Sequence, residues 1–587
     1  MSSNRINSSK LFNITLISYF AAFLILISMS QLAGEDDLFW YLSTGRYIVQ
    51  NGVVPSADVF GFSTSGMPWI PFEWAWDVIN FYLFSISGYA ALSFLEITLI
   101  LSIFYLIFRL LLKFNVRYPV SLLVLLLLAI GMIQRMSIKP HLVSYLAFIL
   151  ILTLIIRFRY FERDNPKILY FLPLIFFIWI NLHMGVLAGL FMFGLYIVSE
   201  LTGYIFRKRL QDSEIKPLEK NMLFKLITIF IISAAATLLN PHGLKTYEYA
   251  FHIVSMKQLE IIYEWKSPFS TEYLLFFSNF VYYFFILLII PVIYYSVKKK
   301  DIFPVLLAIG FFLQSTRAYR LTIDFMLISA PFAAISLNFI LLNFKNEKLK
   351  TYLTEKIFLK IVFSITLLFV IANIPNNKIY SWLSYSRKFG IGIDNNNFPV
   401  RMYNFLRTNG ITETGERPFN TYETGGYFIW NFPDKKNFIG SRGLNDDIWN
   451  QYTSIINAEQ GFEGKMDMLN IDYVLWMVPL LNYSQNPEML NFGIMHYLFK
   501  DSKKWKLLYW DDRSFLFVRN EAKFENVINL EYKFITPFNF YFRRDIIDKW
   551  IIQDNESVKK EIERKKTEDP DGVFLKAILK HYGNRLE

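Results

Sequence analysis

Long apolar runs dominate the first two thirds of the chain, separated by short polar breaks. They lie near 11–33, 88–112, 118–134, 140–157, 168–182, 185–206, 223–240, 273–297, 301–315, 320–343 and 356–373. Each approaches the roughly 20 residues that a helix needs to cross a hydrocarbon core about 30 Å thick, so the pattern predicts about eleven transmembrane helices. The stretch 168–206 is too long for one span, and the polar run Asn181-Leu182-His183-Met184-Gly185 at its middle predicts a hairpin. Beyond residue 375 the rhythm changes. Tyr427–Trp430, Ile471–Trp476, Trp505–Leu508 and Phe515–Val518 are short apolar runs that read as strands, with a turn at Asp511-Asp512-Arg513 between the last two. Residues 554–587 read as a charged helical end broken at Asp569-Pro570-Asp571-Gly572. The expected fold class is an α-helical polytopic membrane protein with a C-terminal extra-membrane α/β domain. Its expected parts are a transmembrane domain, 1–375, with a large first loop at 34–87, and a soluble domain, 376–587.

Composition agrees. Of 587 residues, 54% are hydrophobic and only 19% charged, a balance suited to a surface that faces lipid over much of its height. The net charge of +11 would suggest nucleic acid in a soluble protein. Here many Lys and Arg residues fall in short loops between apolar runs, where they orient a chain in a membrane, so no nucleic-acid partner is expected. With the N-terminus in the cytoplasm, the inside loops carry Lys113 and Arg117; Arg157, Arg159, Arg163 and Lys167; Arg207, Lys208, Arg209, Lys216 and Lys220; Lys298, Lys299 and Lys300; and Lys345, Lys348, Lys350 and Lys356. Arg135 with Lys139, and Arg317 with Arg320, are the exceptions that fall outside. An odd number of spans then places the C-terminal domain outside the cytoplasm. Residues 11–33 read as a span rather than a signal peptide, because the run is about 20 residues long and lacks a small-residue cleavage pattern. There is no Cys, which excludes disulfides and thiolate chemistry.

Polar residues are costly near a membrane, so their placement is informative. Six clusters fall on the outer side: Glu35-Asp36-Asp37 with Trp40; Trp69, Glu73, Trp74 and Asp77; Arg135, Lys139 and His141; Asn181 with His183; Asn240-Pro241-His242 followed by Glu264-Trp265; and Arg317 with Arg320. Each has a plain structural reading. Asp36 or Asp37 suits the N-cap of a helix over Leu38–Gln50. The tryptophans suit interfacial anchors. Asn240-Pro241 is a helix stop, and the arginines can snorkel to headgroups. Together the clusters describe one outer-face cavity with carboxylates, cations and aromatics. No Walker loop, dinucleotide fingerprint, His-Glu-x-x-His or nucleophile elbow occurs, so ATP-driven transport has no motif here.

The run GEDDLFWYLSTGRYIVQNGVVPSADVFGFSTSGMPWIPFEWAWDV resembles the first outer loop of bacterial membrane proteins with the GT-C glycosyltransferase architecture. The resemblance continues in WINLHMG, LLNPHGLKTYEYA, YEWKSP, STRAYR and NTYETGGYFIWNFPDKKNFIGSRG, and so covers most of the chain. Relatives of that architecture include protein O-mannosyltransferases, oligosaccharyltransferases and lipid A aminoarabinose transferases. The resemblance implies a multi-pass protein of a bacterial cytoplasmic (inner) membrane. It implies transfer of a sugar at the outer face from a polyprenyl-phosphate-linked donor to a glycan, lipid or protein acceptor. An acidic motif in the first outer loop is the usual catalytic signature, and Glu35, Asp36 and Asp37 match it. Tyr41 and Phe72 stand where the group often has His, which bears on any metal.

The chemistry suits the residues. Glycosyl transfer needs a base for the acceptor hydroxyl and positive charge for the departing phosphate. A first-loop carboxylate is the expected base, with Asp37 favoured because Asp36 is the better N-cap. Arg135, Lys139, Arg317 and Arg320 are the expected cations. Glu73, Trp69, Trp74, His183, His242 and Glu264 are the other expected substrate contacts, and a divalent cation is left open as cofactor. Two alternatives use the same features: a polymerase or ligase that joins whole lipid-linked glycans, and a non-enzymatic glycan or lipid transporter.

Overall fold

The computed structural model describes residues 2–586 except 33–34, 211–212, 261, 274–275, 345–356, 384, 386, 443–444 and 502. The lysines expected inside at 345, 348, 350 and 356 lie outside the described residues. Two compact units emerge, one from 1–31 with 72–392, the other from 32–71 with 393–587. Most of the segment expected as a free outer loop, 34–87, is thus part of the second unit, and the change of unit falls at 392 rather than 375.

The first unit is helical. Along the chain, with α2 (Asp37–Asn51) belonging to the second unit, its elements are α1 (Ser2–Ser28), α3 (Trp74–Lys113), α4 (Tyr118–Met132), α5 (His141–Tyr160), α6 (Leu172–Ile180), α7 (Val186–Ile205), α8 (Lys220–Ala236), α9 (Lys245–Val254), α10 (Phe277–Leu287), α11 (Ile289–Lys299), α12 (Phe303–Ser315), α13 (Thr322–Leu342) and α14 (Ile357–Ala372). Among the described residues, six helical stretches are long and apolar enough to cross a membrane, including α5, α7 and Tyr319–Leu342. This is a multi-pass membrane protein. Four further apolar helices, such as Pro166–Ile180 and Phe303–Ser315, are shorter, so length and composition by themselves support six crossings.

Local chemistry sets the breaks. α3 is interrupted at Ser87 and Gly88, where Gly88 takes φ 56°, a left-handed conformation open to glycine at little cost. The expected span 88–112 begins at this interruption. The predicted hairpin forms as expected, with Asn181 closing α6 and Gly185 opening α7. α13 is buried on nearly every face from Thr322 to Ser336, as suits a helix apolar all round. It packs against α4, α11 and α12 and forms the centre of this unit's core.

The second unit is built on a four-stranded sheet: β1 (Pro418–Asn420), β2 (Tyr473–Met477), β3 (Trp505–Trp510) and β4 (Ser514–Arg519), in the order β1-β2-β4-β3. β1 and β2 are parallel, and the other pairs are antiparallel. Asp511 makes the β3–β4 turn, accepting the N–H groups of Arg513 and Ser514 at 2.8 and 2.6 Å. The C-terminal end is two helices, Asn555–Glu568 and Val573–Leu586, divided at the expected Asp-Pro-Asp-Gly. Two expectations fail. The first strand, Pro418–Asn420, goes unseen because it is three residues long and begins with Pro, which is tolerated at a sheet edge. Tyr427–Trp430 is helical, within Gly425–Asn431, where Asp36 accepts the first N–H groups.

Candidate functional site

In the second unit, Asp36 occupies the N-cap position of α2, yet its side chain makes no cap bond to α2. Its two oxygens instead accept the N–H groups of Gly426 (2.6 Å) and Tyr427 (2.7 Å). Asp36 therefore caps the helix Gly425–Asn431, a partner 390 residues away that no local pattern reveals. That cap stands at the start of the segment whose continuous apolar run Tyr427–Trp430 otherwise reads as a strand. The glycine pair lets neighbouring backbone approach closely. A Cβ on Gly426 would meet the Asp36 carbonyl oxygen at 2.7 Å, and one on Gly425 would overlap the Ile439 carbonyl. Asp36 is 5% exposed. Burial pushes its pKa up, to about 8, against the two N–H donors. The structure thus gives Asp36 a supporting position.

Asp37 differs. It is half-buried at the first position of α2. It accepts from Ser441 Oγ at 2.9 Å and from the Trp40 indole at 3.4 Å. Glu35 precedes it, also half-buried. Beside them Arg442 forms a buried pair with Asp58 at 2.8 Å. Although burial opposes it, Arg442 and Thr64 hold the Asp58 carboxyl below its ordinary range. The Trp69 indole donates to the Arg442 carbonyl oxygen at 3.2 Å and is 3% exposed. Trp69 is thus a buried side chain of the second unit and not an exposed anchor. Asp58 and Arg442 were not singled out from the sequence; the Asp-x-Phe and Ser-Arg-Gly motifs that contain them were the available signal.

In the first unit, Arg135, Arg320, His141 and His183 converge. Arg135, at the end of the α4 segment, pairs with Glu264 of the 3-10 turn Tyr263–Trp265. Arg320 reaches the same carboxylate at 3.5 Å and stacks on the Trp265 ring at 4.3 Å. These arginines outweigh the effect of burial and lower the Glu264 pKa to about 2. His141 Nε2 donates to the Arg135 carbonyl oxygen at 2.7 Å, which leaves Nδ1, 3.3 Å from Arg135 Nη2, as an acceptor. A second chain sets His183. The Trp179 indole donates to Ser144 Oγ (2.7 Å), so Ser144 donates to His183 Nδ1 (2.6 Å), which also accepts from Gly185 N–H (3.2 Å). Burial, then Arg320 and Arg135, depress the His183 pKa to about 3. The ring is neutral at physiological pH, with its proton on Nε2.

Other expected residues are placed differently. The Trp74 indole donates to Asn181 Oδ1 at 2.9 Å, tying the start of α3 to the hairpin turn. Glu73 takes the N-cap position of α3 without capping it, and is half-buried. Lys139 is half-buried in the bend two residues before His141. His242 lies in a turn that Asn240 Oδ1 organises by accepting the His242 N–H at 3.0 Å and the Thr246 hydroxyl at 2.7 Å. Arg317 is exposed and makes no ion pair among the described residues, so it stands apart from Arg320. Two buried acids complete the picture. Asp324 sits one turn after Arg320 and was missed in the sequence. Asp77 is fully buried, with neither carboxyl oxygen hydrogen-bonded among the described residues.

The divalent cation left open as cofactor finds no ready donor set among the described residues. Among the described residues no three His, Asp or Glu side chains are grouped to hold an ion. Asp36 is committed to two amides, and Tyr41 and Phe72 replace histidines of the related loops.

No family model matches the chain, and no curated protein matches it in sequence. Solved structures do. The oligosaccharyltransferase AglB from Archaeoglobus fulgidus, in complex with an inhibitory peptide and a dolichol-phosphate, is 14% identical. It aligns over 87% of this chain and 75% of its own at a TM-score of 0.51. The apo form of the same enzyme gives 13% identity, 87% and 74% coverage, and 0.52. The arabinofuranosyltransferase AftD from Mycobacteria gives 11% identity over 86% of this chain and 42% of its own, at 0.50. The likeness is one of fold, and the fold is that of the GT-C glycosyltransferases.

Proposed function

We propose that this chain is a membrane glycosyltransferase that moves a sugar from a polyprenyl-phosphate-linked donor to an acceptor at the outer face of the membrane. The observation that carries the reading is the Arg135–Glu264–Arg320 group with the neutral His183 ring beside it. Its fixed cations and a donor N–H suit a phosphate that gains charge as it leaves. The shared fold supports it, since one solved relative holds a dolichol-phosphate.

In the proposed reaction the acceptor hydroxyl oxygen attacks the anomeric carbon. The bond from that carbon to the phosphate oxygen breaks, polyprenyl phosphate departs with the bonding pair, and the hydroxyl proton passes to the Asp37 carboxylate. Asp37 suits the base better than Asp36, because it is half-buried and held by a hydroxyl and an indole rather than spent on a helix cap. Glu73 is proposed as an orienting group. Arg135 and Arg320 bind the phosphate, and Glu264 fixes their spacing. The test is binding of polyprenyl phosphate by the purified full chain. Arg320→Ala should weaken it roughly tenfold or more, the worth of a charge-assisted contact. Unchanged binding in Arg320→Ala and Arg135→Gln would remove the phosphate site.

A further inference from the structure

α5 is 20 residues long, so its two ends lie about 30 Å apart. Its first residue, His141, belongs to the cluster above. At its other end Arg159 borders a separate cavity of about 510 Å³, between the ends of α5, α7, α11 and α12.

The floor of this cavity is charged but balanced. Arg159, 6% exposed, donates to Glu200 and, at 2.6 Å, to Asp301. Arg163 donates to both oxygens of Glu200, at 3.0 and 2.8 Å, and to the Lys216 carbonyl at 2.7 Å. Tyr160 and the Phe303 N–H supply Asp301 with further donors, at 2.5 and 3.1 Å. Two arginines thus offset two carboxylates, a stringent condition for burying charge. Arg209 and Lys300 also line the cavity. Both are exposed, and neither pairs with a carboxylate among the described residues. They leave an excess of two positive charges.

Two further features point to an occupant. Ser296 lines the cavity at 5% exposure, with its hydroxyl lacking any hydrogen-bond partner among the described residues. A buried hydroxyl without a partner is costly, and an anionic oxygen would satisfy it. The remaining wall is apolar and open to the side. Phe206, Ile293, Val297 and Ile302 line it at 48%, 41%, 70% and 42% exposure. In a multi-pass membrane protein an exposed apolar wall of this kind suits acyl chains. A free anion would have no use for such a wall.

We propose that this cavity binds the phosphate headgroup of an anionic phospholipid, with Arg209, Lys300 and Ser296 on the phosphate and the acyl chains along α11 and the end of α7. The site lies at the far end of the bundle from the proposed donor-phosphate group and is distinct from it. Gly203 supplies the test, because it lines the cavity and a Cβ there meets nothing within 4 Å. Gly203→Leu therefore adds bulk at the cavity wall from a Cβ position that is open, and replacing a helical glycine favours the helix.

The experiment is native mass spectrometry of the purified full chain in detergent with phosphatidylglycerol or phosphatidylcholine, alongside thermal unfolding with inorganic phosphate. Phosphatidylglycerol should be retained about tenfold more than phosphatidylcholine. That preference should vanish in the Arg209→Ala/Lys300→Ala double variant, and retention itself should fall in Gly203→Leu. Ser296→Ala, a smaller change, should lower retention a few-fold and guards against misfolding of the double variant. Equal retention of both lipids, or full retention in Gly203→Leu, would overturn the proposal. Stabilisation by inorganic phosphate that Gly203→Leu leaves intact would reassign the site to a free anion and equally overturn the lipid.

Discussion

Asp36 provides the sharpest test of the second unit. Its carboxyl is the partner of two backbone N–H groups at the start of the helix Gly425–Asn431 and is 5% exposed. Asp36→Ala removes both acceptors at once. Each buried donor left unpaired costs about 1–3 kcal/mol, and loss of a helix cap by itself costs about 0.5–2 kcal/mol. Allowing for water in the vacated space, a destabilisation of about 2–4 kcal/mol follows, or about 5–15 °C for a unit of this size. Thermal unfolding of the purified chain, with proteolysis near residue 425 as a local probe, reads the effect. A pH series adds a second readout. Burial raises the Asp36 pKa from 3.8 to about 8, so the fold favours the protonated form. Its contribution is full below pH 3.8 and is lost as pH rises through about 8. The parent's stability should therefore carry a decline over that interval that Asp36→Ala lacks. An Asp36→Ala protein that unfolds within a degree of the parent, with the same pH slope, would refute the cap.

Further predictions follow from the same geometry. Arg442→Ala strands Asp58 in the interior and should destabilise the second unit by about 3–5 kcal/mol, read by chemical denaturation. Arg320→Ala should impair use of the lipid-phosphate donor, whereas Arg317→Ala, at an exposed side chain outside the cluster, should leave it near normal in the same transfer assay. Because the His183 pKa is depressed to about 3, its ring stays neutral across pH 5–8. Its contribution to stability is full above pH 6.5 and fades as pH falls toward 3. The pH–activity profile of His183→Gln should accordingly keep the parent's shape between pH 5.5 and 8.

Regular periodicities made much of the fold legible. The helix starts at His141 and Val186, the strand pair around Asp511 and the break at Asp569 follow from local pattern and turn chemistry. The misreadings have a common cause. Tyr427–Trp430 looks like a strand until a carboxylate 390 residues earlier caps it, and Asp36 looks like the cap of its own helix for the same reason. The first-loop residues 32–71 join the second unit through long-range contacts such as Asp58–Arg442 and Trp69–Arg442, which spacing along the chain does not encode. At the site, Arg135, Glu264 and Arg320 were legible as costly charges near apolar runs. That they share one carboxylate, and that Arg317 does not, depends on the turn that separates Arg317 from Arg320. Asp324, a single acid inside the apolar run 320–343, carries the same cost, and that cost is the signal that points to it.

The central claim is that this chain breaks the bond between a sugar and a polyprenyl phosphate with Asp37 as the base. It is tested most directly by incubating the purified protein and its Asp37→Asn variant with labelled lipid-linked sugars and measuring released polyprenyl phosphate. The parent should release it in the presence of acceptor. Asp37→Asn keeps the hydrogen bond from Ser441 while removing the charge, and should be slower by about 10²–10⁴-fold, the usual worth of a positioned base, with unfolding unchanged. Release at equal rates by both proteins would remove Asp37 from the chemistry, and no release by the parent from any lipid-linked sugar would contradict the enzyme itself.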